Sequence, residues 1–191
     1  PVTRRGLRNA HVTAAVFGAV LSTVYGALAQ LVPMFTQTDR TRLDAALERA
    51  EGLAHPAGVA LLVGGRLLLA PTLARVGAAL VVAGALAVVV VLGRRLLAMR
   101  VEPTPMHTHY AAAGLALGTW ALLAAPGWLA SPLAGRTVAG PVGPAGLLLF
   151  VAIGFVVFGT LYHVVPFLVW IERYSDRLGL EPVPMIDDLY D

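Results

Sequence analysis

The chain has 191 residues, 58% of them apolar and only 13% charged, with a mean hydropathy of +0.76. Water-soluble domains are usually about 45–50% apolar, so this composition excludes one and leaves an integral membrane protein. The absence of cysteine excludes disulfides, thiolate metal sites and iron–sulfur clusters, and the net charge of +3 comes from arginines at the ends of apolar runs, where snorkelling explains them and nucleic acid does not.

In chain order, the opening Pro1 in place of Met suggests a processed chain or a piece of a longer polypeptide, and nothing near it has the three-part layout of a cleavable signal peptide. Arg4, Arg5 and Arg8 form a basic collar before the first apolar run, 10–35, which ends in Leu31-Val-Pro33. Thr41-Arg-Leu-Asp44 reads as a capping-box variant opening a short amphipathic helix, 41–52, lying on the membrane surface and closed by Gly52. The run 55–71 is short and carries Gly64-Gly65-Arg66, so it is a short span, a re-entrant segment or a surface helix, the short span being the preferred reading. The run 72–97 is apolar on every face and exits through Arg94, Arg95 and Arg100. A proline-rich turn leads to 107–129, where Gly114 and Gly118 form a GxxxG that permits close approach of another helix. A last span, 145–171, precedes an acidic tail, 174–191, outside the membrane.

The expected fold is therefore all-α: a polytopic transmembrane bundle of four to five spans over 1–173 with one interfacial helix, multi-pass in the cell membrane. Arginine counting does not orient it. With five spans Arg66, Arg75 and Arg136 join the N-terminal three on one face, against eight on the other.

Candidate chemistry lies in His11, His55, His107, His109 and His163, because an ionisable residue inside a membrane needs a partner or a function. His107 and His109 point about 200° apart on a helix and serve two different places. His55, before Pro56, reads as a boundary residue, whereas His163 lies about 12 Å inside its run. With five spans His11 lies towards one face and the other four towards the opposite face; with four, His11, His107, His109 and His163 gather on one.

Asn9-Ala-His11, the apolar stretch after it, Gly26 and Leu31-Val-Pro33 resemble the second transmembrane helix of the haem–copper oxidase subunit I superfamily. Gly159-Thr-Leu-Tyr-His163-Val-Val-Pro166 is similar to the end of that family's tenth helix, and His107-Thr-His109-Tyr110 to its beginning. The resemblance covers about a third of the chain. It implies one haem b for electron transfer, with iron held by His11 on one side and His109 or His163 on the other.

Departures bound that implication. The two tenth-helix motifs stand here on successive helices, and Ala145-Gly146-Leu147 occupies a place where the family has a ligand. Five histidines cannot supply the six ligands of a complete oxygen-reducing site, and no His-x-x-x-Tyr is present. No catalytic residue and no copper are expected, and the chain is at most a redox component. A second reading is a cofactor-free structural or accessory subunit. A third, a transporter kinked at Pro33 and Pro166, lacks an intramembrane carboxylate, Glu172 being interfacial. The expected partners are the lipid bilayer and either other membrane subunits or a missing N-terminal portion.

Overall fold

A computed structural model describes residues 3–134, 139, 142–185 and 189. Arg136 and the last acidic residues of the tail lie outside them. The described residues form five helices.

Helix α1, Arg4–Thr36, starts on Thr3, whose hydroxyl accepts the Gly6 amide at 3.0 Å, and stops where Gln37 turns left-handed (φ 48°). It widens to π-helix over Ala14–Leu21. Helix α2 is Arg42–Leu67, α3 is Pro71–Leu97 and α4 is Pro105–Ala130. Helix α5 runs on through Val142–Gly146, a second π stretch Leu147–Ile153, and Gly154–Tyr174. Four of the five, α1, α3, α4 and α5, are long and apolar enough to cross a membrane. The all-α bundle expected from the sequence is what forms.

Helix α2 differs from the expectation. The interfacial helix and the short run after it are one helix of 26 residues, about 39 Å at 1.5 Å per residue, against a hydrocarbon core of about 30 Å. Its start is the anticipated capping box, with the Thr41 hydroxyl accepting the Asp44 amide (3.1 Å) and Asp44 accepting the Thr41 amide (3.0 Å). Gly52 does not close it, and Pro56 removes only one backbone donor, which packing on both sides tolerates. Along its length α2 runs antiparallel to α1. Gly6 lies against the Arg66 carbonyl, Phe17 meets His55, and Thr38 beyond the far end of α1 meets Arg95 beside Glu48. All five helices therefore traverse the bundle, and the first and last run in the same direction.

Small residues hold α2 against α3. A Cβ on Gly58 would meet Leu80 Cβ at 2.8 Å and the Val81 nitrogen at 2.9 Å, and Gly65 and Gly77 are closed off by the backbones of Ala74 and Leu62. The GxxxG of α4 packs within the chain, Gly114 towards Leu92 (3.1 Å) and Gly118 towards Val89 (3.4 Å) on α3. The core between these helices is filled by Phe17, Trp120 and Trp128, whose ring centroids lie 5.1 to 5.6 Å apart. Below it α2 buries Arg66, which donates to the Pro132 carbonyl (3.1 Å) and the Thr13 hydroxyl and lies 5.3 Å from the Trp128 ring centroid.

Candidate functional site

The bundle divides the histidines between its two ends. His11 is exposed near the start of α1. His107, His109 and His163 belong to the opposite end, where α1 finishes: His107 bonds to the Phe35 carbonyl, and the His163 ring lies edge-on to the Phe35 ring at 4.6 Å. From His11 to Phe35 the helical rise is roughly 35 Å. The structure thus brings His163 and His107 together at Phe35 and does not bring His11 to either His109 or His163. A haem b held by His11 and one of those two does not fit this arrangement.

Helices α4 and α5 are in close contact beside His109. At Gly159, one turn before His163, a Cβ would come within 3.0 Å of the His109 Cβ, so α4 and α5 are in close contact there. The same two helices are pinned by a 2.8 Å bond between the Tyr110 and Thr160 hydroxyls. Among the described residues no group of three or more His, Asp or Glu side chains is placed to hold a metal ion.

Hydrogen bonds define the proton position on His107 and His109. Because a carbonyl only accepts, His107 carries its proton on Nε2 and donates to Phe35 O at 3.0 Å, while Nδ1 accepts from the Thr104 amide at 3.0 Å. Both nitrogens are occupied and no lone pair is left for a metal. His109 donates from Nδ1 to the Pro105 carbonyl at 2.6 Å, leaving Nε2 as its acceptor beside the Phe155 ring. His107 and His109 serve different helix contacts, as their spacing implies.

His55 is not the boundary residue expected. It is 1% exposed, and its Nε2 donates to the Phe17 carbonyl at 3.0 Å. That carbonyl sits in the π stretch of α1 and also accepts the Ser22 hydroxyl at 3.1 Å, so polar side chains bond to backbone where α1 is widened. The other nitrogen, Nδ1, is buried without a partner. Tyr25 lies beside it, ring centroids 4.9 Å apart, and its hydroxyl is also buried and unpartnered.

One turn before His55 on α2, Glu51 opens onto a narrow cavity of about 40 Å³ between α1, α2 and α3, walled by Tyr25, Leu28, Val88, Glu48 and Arg95 among others. The continuity of α2 places the Glu51 carboxylate among the packed helices, roughly 14 Å along the helix from Arg42. Glu48 is held by Arg95 (3.2 Å) and Arg40 (2.6 Å), and Arg95 also reaches the Thr38 hydroxyl at 3.3 Å. Arg95 is 3% exposed and its Nε has no partner. Sequence reading missed Tyr25, Glu51 and Arg95 as a group because it broke α2 at Gly52. The available signal was that Glu48, Glu51 and His55 share one helix face by the i, i+3, i+4 rule.

At the head of α2, Asp44 is buried beside Arg94, 3.2 Å from its Nε. Burial acts to raise this carboxyl, but the Thr41 amide and hydroxyl and the arginines Arg94 and Arg95 outweigh it and hold the group below the ordinary aspartate value.

No known protein family, curated protein or solved structure matches the chain.

Proposed function

We propose that the chain is a multi-pass protein of the cell membrane that serves as a cofactor-free structural or accessory subunit of a membrane complex, a reduced relative of haem–copper oxidase subunit I that keeps helix shapes without the haem. The observation that carries this reading is the separation of His11 from His109 and His163 by the length of the bundle, together with the use of His55 and His107 as hydrogen-bonded struts between helices.

His109 favours a second reading. A ring whose Nδ1–H is fixed by a carbonyl presents Nε2 in the manner of metal-bound histidines. With α4 and α5 in contact beside His109, a haem b on His109 would take its other ligand from another subunit, making the protein an electron-transfer component.

The test is the absorption spectrum of the purified, dithionite-reduced full chain produced with haem supplied. The accessory reading expects no b-type bands. Bands that persist in His11→Ala and vanish in His109→Ala would replace it with the second reading, and bands that vanish in His11→Ala would contradict both.

A further inference from the structure

Two polar atoms on two helices are buried without partners on the wall of one small space, the Tyr25 hydroxyl on α1 and Arg95 Nε on α3, and a third, His55 Nδ1 on α2, is buried without a partner beside the Tyr25 ring. Tyr25 and Arg95 line the cavity directly, with Glu48 and Glu51. His55 Nδ1 faces the side chain that Gly84 lacks, where a Cβ would stand 3.6 Å away. Leaving such donors and acceptors unmade in an apolar interior is costly, and water is the partner that relieves the cost. A water needs about 10–15 Å³ of such space and two to four polar partners, so a 40 Å³ cavity is sized for two or three waters and too small for an organic ligand.

The charges on the wall of this space point to its use. Glu48 is neutralised by Arg95 and Arg40, whereas Glu51 forms no ion pair among the described residues. The groups that share the cavity wall with Glu51 are Tyr25 from α1, Glu48 from its own helix and Arg95 from α3, with His55 one turn further along α2 against the Tyr25 ring. Glu51 is thus the carboxylate on the cavity wall that has no ion-pair partner among the described residues, and taking up a proton removes its charge. A bound metal cation would lie against Arg95.

Access exists from one side. An open cleft of about 570 Å³ at the end of the bundle shares Ala29, Glu48 and Arg95 with the cavity wall. Towards the other end the interior is shut by Phe17, Trp120 and Trp128, each 0% exposed.

We propose that this cavity is a hydrated proton-binding site open to one face of the membrane, in which Glu51 takes a proton and ordered water links it to the Tyr25 hydroxyl. The balance is simple: a hydronium ion entering past Glu48 and Arg95 gives its proton to the Glu51 carboxylate, leaving water and a neutral acid, and release is the reverse. The aromatic plug stops the proton there.

The experiment is infrared difference spectroscopy of the full chain in lipid nanodiscs between acidic and alkaline buffer. The expected result is a protonated-carboxyl stretch that titrates in the natural protein, disappears in Glu51→Gln, survives in Glu48→Gln, and moves to higher frequency in Tyr25→Phe as a hydrogen-bonded water is lost. Glu51→Asp keeps an acid at the same place and is expected to retain a shifted band, which guards against a folding defect in Glu51→Gln. Exchange into oxygen-18 water is expected to shift an O–H band of ordered water that Ala87→Leu, by filling the cavity, removes. Absence of a titrating carboxyl, its survival in Glu51→Gln, or an ordered-water band unaffected by Ala87→Leu would overturn the proposal. So would a proton leak through liposomes containing the protein that Glu51→Gln abolishes, since the site would then be open to both faces.

Discussion

His107 shows how two hydrogen bonds hold an imidazole inside the bundle. Its ring closes two backbone hydrogen bonds, from the Thr104 amide and to the Phe35 carbonyl, and so joins the start of α4 to the end of α1. His107→Ala leaves that amide and carbonyl unmet and is expected to cost about 1–3 kcal/mol, seen as a lower Tm in detergent. His11→Ala removes an exposed ring and is expected to change stability by no more than about 0.5 kcal/mol. Asp44 contributes a pH dependence. A carboxylate held below its unfolded value, near 4 for aspartate, stabilises the fold above that pH, and the contribution drains as pH falls through the lower, folded value. Asp44→Asn is expected to flatten the acid limb of a Tm-against-pH curve while leaving the neutral-to-alkaline limb parallel to that of the natural protein. The sequence exposed all five histidines, because ionisable residues stand out in apolar runs. It did not tell struts from ligands, since that depends on which carbonyl another helix presents.

At the level of the helix, α2 carries most of what composition concealed. Its first half bears Asp44, Glu48, Arg49 and Glu51 and reads as a surface segment by hydropathy, yet it is packed along α1 and α3 with those charges gathered near one end. Hydropathy registers contact with lipid and is blind to contact with neighbouring helices, which is what buries this one. The apolar spans α3 and α4 were legible for the opposite reason, their lipid faces being as apolar as their cores. The two Gly-to-Pro endings look alike in sequence and differ in packing: a Cβ on Gly26 would meet no neighbouring helix within 4 Å, whereas Gly159 is closed off by His109 and Tyr110. Gly58→Leu forces apart the α2–α3 contact, where backbone and Cβ atoms stand within 3.0 Å, and is expected to cost at least about 2 kcal/mol. Gly26→Leu is expected to fold normally. Thermal unfolding of the two variants side by side, followed by circular dichroism, checks the difference.

Taken whole, the molecule is an odd-numbered bundle, so its two ends collect different chemistry. One end holds His11 and the Arg66–Thr13–Trp128 cluster; the other holds three histidines, the Arg94–Asp44 and Arg95–Glu48 pairs and the mouth of the Tyr25 cavity. Whether four or five helices traverse the bundle decided which histidines could meet, and α2 supplies the fifth. The absence of native cysteine makes this directly measurable. Nitroxide labels on His11→Cys and His163→Cys, with the distance between them read by pulsed electron resonance in nanodiscs, are expected to give a single population at roughly 35 Å. A distance short enough for both positions to flank one haem would contradict the arrangement on which the account depends.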